Sequence, residues 1–209
     1  MTTVVLAAGR SRRFGPANKL LAEVDGVPLI VRTLRRVMAA TDGPVCLVIG
    51  HQAHRLRQAL ARHGLRSARL HIVHSRFARA GMSHSLARGL FAAPRISTAI
   101  QVHLGDMPGI DRRTTSGLRR RLNHGYRVAR PHHRGQPGHP VRLRRAILPS
   151  ESEVAQHGLR ATLRHIAAAE RDRFEAGPHC VADYDRRQML RVLIQPRTHR
   201  HTPSPVRCT

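Results

Sequence analysis

The sequence predicts a doubly wound α/β domain, in which a mostly parallel sheet carries helices on both faces. Short β-branched and apolar runs alternate with amphipathic stretches from the N-terminus to about Asn123. Such runs between helices are typical of parallel strands that are buried on both faces. The length of 209 residues and the apolar share of 41% suit one globular domain.

The elements are predicted in chain order from these runs and from the turn-forming residues, such as Gly and Pro, between them. The predicted strands cover residues 3–6, 45–49, 70–73 and 98–104, and the predicted helices cover residues 28–40, 51–63, 82–93 and 112–123. Residues 130–140 contain three prolines and two glycines and therefore predict a loop. A helix over 159–171, a short strand over 180–182 and a last helix from about 186 follow. The domain is predicted to cover residues 1–195, with a disordered tail over 196–209.

The formal charge of +25 raises the question of nucleic-acid binding. However, the chain has no Trp, only two Tyr and four Phe. Proteins that bind single-stranded nucleic acid usually stack its bases on aromatic side chains. The basic residues are also scattered along the chain, and Lys19 is the only lysine among them. We interpret the charge as arginine on solvated helix faces, with non-specific contact to nucleic acid as its consequence.

Three cysteines without a CxxC pair indicate a reduced compartment and argue against a thiolate zinc site. The N-terminal apolar run is too short for a signal peptide, and no run approaches the roughly 18 residues of a membrane span. A cytoplasmic protein without membrane association is expected.

The first strand leads into a loop of small residues that suits a phosphate. Backbone N–H groups can approach a phosphate where no Cβ stands in the way, and basic side chains then neutralise its charge. A Walker loop and a GxGxxG fingerprint are both absent. The alternative is an ordinary strand–turn with surface arginines. The predicted nucleotide-binding residues are Leu6, Ala7, Ala8, Gly9, Arg10, Ser11 and, beyond them, Arg13 and Lys19.

Asp106 follows the predicted strand over 98–104, and parallel sheets bind ligands at the carboxyl ends of their strands. Mg²⁺ that accompanies a phosphorylated ligand takes few protein carboxylates beside phosphate oxygens and waters. Asp106 is therefore predicted to bind the metal. Its alternative role is to cap the next helix, for which Asp111 is the better candidate.

The sequence LAAGRSRRFG followed by Lys19 resembles the signature loop of the MobA-like nucleotidyltransferases, and its Ala-Ala-Gly form is most similar to that of the molybdenum cofactor cytidylyltransferases. That family usually has two residues between the last glycine and the lysine, whereas this chain has three. The resemblance implies a Rossmann-like, GT-A-type fold. It also implies that Lys19, Arg13 and Asp106 are catalytic.

Three further segments resemble motifs of the same family. The segment GMSHSL at 81–86 implies that Ser83 and Ser85 bind the nucleotide, although read alone it is a serine-capped helix. The segment GQPGHPV at 135–141 implies that Gly138, His139 and Pro140 bind the acceptor. Asp183 in the segment DYD is implied as a second metal ligand. The residues after Asp185, and the segment around Gly158, depart from the family pattern.

By this resemblance, the chain transfers CMP from the donor CTP to the phosphate of molybdopterin, uses Mg²⁺ and releases pyrophosphate. One alternative is a nucleotidyltransferase that acts on a sugar or polyol phosphate. Another is a non-catalytic chaperone of the same fold, which hands the molybdenum cofactor to a molybdenum-dependent apo-oxidoreductase. The departures from the family pattern lie in the acceptor half of the chain.

Overall fold

The computed structural model describes residues 1–11, 14 and 17–182, which build one eight-stranded sheet and a small hairpin. Across the sheet the strand order is β10-β7-β9-β6-β1-β4-β5, and β8 pairs with β7. All neighbours in this row are parallel except those of β9. The strands are β1 Thr2–Ala7, β2 Glu23–Val24, β3 Val27–Pro28, β4 Val45–Ile49, β5 Leu70–His74, β6 Ala99–Leu104, β7 Val128–His133, β8 Gln136–Pro137, β9 Val141–Arg144 and β10 Arg171–Glu175.

In the described part of the chain, five α-helices cover the two faces of the sheet, as the sequence predicts. They are α1 Leu29–Ala40, α2 Ala53–Arg62, α3 Met82–Ala92, α4 Arg112–Asn123 and α5 Glu151–Arg164. Helices α3 and α5 pack on one face, where Leu90 and Val154 meet Val102. Helices α1 and α2 pack on the other face, and α4 joins them there by contacting β7, β9 and α1. The central strands are thus buried on both sides, which explains their largely apolar sequences.

The predicted loop over 130–140 is wrong in part, because its first residues continue β7 and two more form β8. Pro131 lacks an N–H group, but its carbonyl still accepts a hydrogen bond from the amide of Gly138 at 2.8 Å. Strand β9 then returns antiparallel between β6 and β7. Proline therefore did not end the strand, since tertiary pairing supplied the remaining hydrogen bonds.

Two predictions near the C-terminal end are corrected by the structure. The helix expected over 159–171 begins earlier, at Glu151, and is broken at Gly158, while Arg171 starts the edge strand β10. The strand expected over 180–182 is replaced by a 3-10 turn, Pro178–Cys180. Strand β10 already pairs with β7, and the buried Cys180 instead accepts a hydrogen bond from the amide of His139 through its carbonyl. The expected last helix and the expected tail lie outside the described residues.

The carboxyl ends of β1 and β6 meet at one edge of the sheet, where the two predicted nucleotide motifs lie side by side. The amide of Gly105 donates to the carbonyl of Leu6 at 2.9 Å. A Cβ at Gly105 would lie 3.0 Å from that carbonyl oxygen, so a larger residue would crowd this approach. Within the described part of the chain, no helix is long and apolar enough to cross a membrane.

Candidate active site

A cleft of about 550 Å³ opens at this edge of the sheet. Its walls are the loop after β1, the start of α3 and the residues that follow β6. The predicted residues Leu6, Ala7, Ala8, Gly9, Arg10, Ser11 and Lys19 all line it. We call this cavity the loop cleft.

Several residues of the loop line the cleft and have backbone amides without a main-chain acceptor among the described residues. Ala7 and Ala8 are buried, whereas Gly9 and Arg10 are exposed. The amides of Gly9, Arg10 and Ser11 make no hydrogen bond to any main-chain oxygen of the described residues. A Cβ at Gly9 would meet no atom within 4 Å, so packing within the protein does not require this glycine. Close approach of a ligand is a reason for it, and phosphate is the ligand that free amides favour.

Lys19 and Asp106 form an ion pair at the base of the loop cleft. The Lys19 Nζ lies 2.5 Å from the Asp106 Oδ2, and the side chains are 6% and 20% exposed. Lys19 begins a 3-10 turn that Asn18 caps, since its side-chain oxygen accepts from the amide of Leu20. The extra residue in the preceding loop therefore does not keep the ammonium from the carboxylate.

The alternative role for Asp106, as a helix cap, falls to Asp111, as the sequence predicts. The Asp111 carboxylate accepts from the amide of Thr114 at 2.7 Å at the start of α4. Asp106 is therefore not needed as the cap of α4 and lies in the cleft. Arg13 and Asp183 lie outside the described residues, so their predicted roles stay predictions.

The two predicted serines of the segment GMSHSL at 81–86 line different clefts. Ser85 lines the loop cleft, is buried, and donates its hydroxyl to that of Ser75 at 3.3 Å. Ser83 lines a neighbouring cleft and donates to the carbonyl of Ala155 in α5 at 2.6 Å. Helix α3 starts after Gly81 without any side-chain cap, so the reading of a serine-capped helix is not supported.

The neighbouring cavity, here called the acceptor-side cleft, has a volume of about 540 Å³ and shares Leu6, Met82 and Leu104 with the loop cleft. Of the predicted acceptor residues, His139 lines it directly. Gly138 and Pro140 are buried beside it, with the Gly138 carbonyl accepting from Arg130 Nε at 2.8 Å. The remaining wall is apolar on one side, with Leu86, Val128 and Leu159.

Four arginines line the acceptor-side cleft that the sequence does not single out as site residues. In a chain with 37 basic residues no single arginine stands out, and two of the four lie in the unpredicted strand β10. Their charge suits a phosphorylated ligand. They are Arg130, Arg164, Arg171 and Arg173.

Two histidines, His103 and the cleft-lining His139, are uncharged at neutral pH. Burial lowers the pKa of His103 to about 4, and burial with nearby His103 and Arg130 lowers the pKa of His139 to about 3. The His103 Nε2 lies 2.8 Å from the carbonyl of Met107. A carbonyl can only accept, so Nε2 carries the proton. Any contact between His139 and a ligand would therefore be made by a neutral ring.

The described residues fit a divalent ion that arrives with a nucleotide. Within residues 1–11, 14 and 17–182, no three His, Cys, Asp or Glu side chains are grouped to hold a metal. Mg²⁺ on a triphosphate needs only one or two carboxylates, because phosphate oxygens and waters complete its shell. Asp106 can supply one, since its carboxylate lines the loop cleft.

Comparison with known proteins agrees with this geometry. Residues 3–174 match the model of the MobA-like NTP transferase domain. The homologue of Mycobacterium tuberculosis Rv0371c from Mycobacterium sp. strain JC1 has a crystal structure that is 25% identical, with a TM-score of 0.73, over 92% of this chain and 94% of that one. Rv0371c in complex with manganese is 24% identical, with a TM-score of 0.63, over 92% of this chain and 97% of that one. These likenesses confirm the predicted fold class.

Among curated sequences, the bifunctional protein GlmU of Anaeromyxobacter sp. is 33% identical over 121 residues, which are 56% of this chain and 24% of GlmU. The chain therefore matches about a quarter of the length of that relative.

Proposed function

Since this chain belongs to the MobA-like NTP transferase domain family, and is thus a nucleotidyltransferase, we propose that it transfers CMP from CTP to the phosphate of molybdopterin and releases pyrophosphate. The observation that carries the proposal is the Lys19–Asp106 pair. It lies in the loop cleft, and this cleft shares residues with a second, arginine-rich cleft. A donor and an acceptor could thus lie next to each other.

The loop cleft suits the triphosphate of the donor. The amides of Gly9, Arg10 and Ser11 supply donors without main-chain acceptors, and Lys19 supplies a compact ammonium. Asp106, with Asp183 as the predicted second ligand, would hold a divalent ion, which when bound offsets charge on the triphosphate. That a relative was solved with manganese supports a divalent ion here as well.

The acceptor-side cleft suits a phosphorylated, partly apolar acceptor. Arginines in its wall favour a phosphate, while Leu86, Val128 and Leu159 favour a flat ring such as a pterin. His139 contributes a neutral hydrogen-bonding ring, because burial lowers its pKa to about 3.

The reaction is an in-line displacement at the α-phosphorus. An acceptor phosphate oxygen forms a bond to that phosphorus while the bond to the bridging oxygen of the pyrophosphate breaks, and pyrophosphate leaves with the electron pair. The acceptor phosphate is ionised near neutral pH, so no general base is needed. The chain contributes by positioning both substrates and by stabilising charge with Lys19 and the loop amides.

The proposal is tested by pyrophosphate release with a panel of donors and acceptors. We expect turnover with CTP and molybdopterin, and much less with GTP or ATP. Turnover only with a sugar or polyol phosphate would assign the alternative acceptor class. Tight binding of molybdopterin without pyrophosphate release, together with transfer of the cofactor to an apo-oxidoreductase, would support the chaperone instead.

An Asp106→Asn variant tests the metal role in the same assay. We expect it to lose Mg²⁺-dependent transfer almost completely but still to fold, because the carboxylate lies in the cleft and not in the core. Its melting temperature should fall, since the nearly buried Lys19 loses this carboxylate. The matched control is Asp25→Asn. Asp25 lies in the β2–β3 turn, and its half-exposed carboxylate is paired with Arg32 of α1. Full turnover by Asp106→Asn would make Asp106 a structural residue.

A further inference from the structure

A second polar pocket lies at the opposite edge of the sheet from the loop cleft. It has a volume of about 400 Å³ and is lined by residues at the amino ends of β1 and β6, the end of α1 and one side of α4. Strand β1 has six residues, so the two edges are on the order of 17 Å apart. We call this cavity the basal pocket. The nucleotidyl-transfer proposal does not use it.

Arg142 in the wall of the basal pocket is a buried cation that is paired with no carboxylate of the described residues. Only 3% of the residue is exposed. Among the described residues its hydrogen bonds go to one neutral atom, Gln101 Oε1, from Nε at 3.2 Å and from Nη2 at 2.9 Å. Burial of a charge without an opposite charge is costly, because a neutral amide replaces little of its hydration.

The surroundings of Arg142 add positive charge instead of balancing it. Burial first, and then the nearby Arg119, lower the pKa of Arg142 to about 10, so the guanidinium stays charged at neutral pH. Arg112 and Arg119 also line the pocket. Among its described lining residues the one carboxylate is that of Asp42, which is 85% exposed and lies 4.0 Å from Arg112.

Unsatisfied polar atoms next to the basal pocket also indicate a ligand site. The amide nitrogen of Gln101 and the hydroxyl of Thr115 are buried and have no hydrogen-bond partner among the described residues. Thr115 lines the pocket, and Gln101 binds Arg142. Buried polar groups are normally satisfied, so such a cluster beside a cation calls for a ligand or ordered water that completes it.

From these observations we propose that the basal pocket binds a small phosphorylated anion, held by the guanidinium groups of Arg142, Arg119 and Arg112. Phosphate matches the fork of a guanidinium with two parallel hydrogen bonds. The volume admits a phosphate ester as well as free phosphate, whereas an extended polyanion would bind the open surface. The site is separate from the loop cleft and does not depend on the chain being a cytidylyltransferase.

The test is a titration of the full-length protein with inorganic phosphate, pyrophosphate and glycerol phosphate at constant ionic strength. Calorimetry measures affinity, and amide chemical shifts locate the site. We expect saturable shifts at Thr115 and Ser116 that persist in a Lys19→Ala variant. If glycerol phosphate binds more tightly than inorganic phosphate, the natural ligand is an ester; the reverse order assigns free phosphate or pyrophosphate.

Two variants of neighbouring arginines on α4 provide the decisive comparison. Arg119→Gln should weaken phosphate binding at the basal pocket at least about tenfold, the loss of one charge-assisted hydrogen bond. Arg120→Gln removes the same charge from an exposed position outside the pocket and should change affinity less than about twofold.

Arg142→Gln should have an effect as large as that of Arg119→Gln. If the Arg142 variant does not fold, the exposed Arg119 still decides the question. Equal losses in the Arg119 and Arg120 variants, or shifts that never saturate, would overturn the proposal in favour of diffuse attraction by the net charge.

Discussion

At the scale of single residues, Lys19 is the solitary lysine in a chain whose other basic residues are arginines. An ammonium is a compact point charge, whereas a guanidinium is a planar fork with fixed donor directions. Lys19 is 5% exposed and contacts Asp106 below the loop, where a larger planar group would have less room. This geometry gives a physical reason for a lysine at this position.

Replacement of Lys19 should therefore impair the binding of a triphosphate. We expect Lys19→Ala to reduce CTP affinity by on the order of 1.5–3 kcal/mol, the scale of a charge-assisted hydrogen bond. Lys19→Arg should restore only part of it. Calorimetry with the control Arg36→Ala, an exposed position on α1, provides the comparison. Near-equal affinity of all variants would remove Lys19 from the nucleotide site.

His103 makes stability depend on pH. Its folded pKa of about 4 lies below the ordinary value of 6.5, so unfolding takes up a proton once the pH falls below about 6.5. The contribution of His103 to stability is thus fully present above that pH and is lost as the pH falls from 6.5 towards 4. The loss is about 3 kcal/mol for a shift of this size, and His139 adds to it in the same direction.

The pH effect is measured by urea unfolding between pH 7 and pH 4.5. His103→Gln should flatten the decline in the free energy of unfolding, whereas His54→Gln, at an exposed position on α2, should leave it unchanged. An identical decline in wild type and His103→Gln would show that His103 does not titrate on unfolding.

At the scale of elements, two glycines near the clefts differ in what a side chain there would disturb, either the backbone conformation or the space of the cleft. Gly158 breaks α5 with φ 70° and ψ 170°, a conformation that is essentially restricted to glycine, and it lines the acceptor-side cleft. Gly9 is not held by packing, because a Cβ there would meet nothing within 4 Å. Gly158 is required by the backbone conformation, whereas for Gly9 we propose the close approach of a ligand as the reason.

Alanine substitutions should separate these two reasons. Gly158→Ala should lower the free energy of unfolding by about 1–3 kcal/mol, the cost of a strained backbone conformation. Gly9→Ala should leave stability nearly unchanged but weaken triphosphate binding, since its Cβ would stand in the cleft. Urea unfolding and CTP titration of both variants check this. A destabilised Gly9→Ala with full affinity would contradict the assignment.

At the scale of the whole molecule, the net charge of +25 should be separable from nucleotidyl transfer. At about 0.15 M salt, screening confines each exposed charge to roughly 8 Å, and many arginines lie on exposed helix faces. Non-specific DNA binding should therefore fade steeply as salt rises, because it depends on counterion release. Transfer should fall far less, since Lys19 and Asp106 are largely enclosed.

A parallel salt titration of DNA retention and pyrophosphate release measures both effects. Sequence-selective nucleic-acid binding that survives physiological salt, without detectable transfer, would make the charge itself the function. The partners of this chain in the cell remain predictions: CTP, a molybdopterin-type acceptor and a molybdenum-dependent apo-oxidoreductase.

The amino acid sequence by itself determined the first half of the fold and the loop cleft. Strand Val45–Ile49 and helix Arg112–Asn123 match their predicted bounds, because a buried run and an amphipathic period are local properties of the chain. Lys19 and Asp106 were predicted to lie at one site for a similar reason, although their ion pair is seen only in the structure. Both follow elements of a parallel sheet, and the carboxyl ends of such strands share an edge.

Only the tertiary structure decided the acceptor half and the basal pocket. Strand β10 is a run of charged residues around Phe174 that becomes a strand because β7 offers it a partner. Arg142 stands out only after folding has buried it opposite Gln101. Pairing between distant segments leaves no local period, and in an arginine-rich sequence one arginine resembles the next. Burial and partners, which depend on the whole fold, distinguish them.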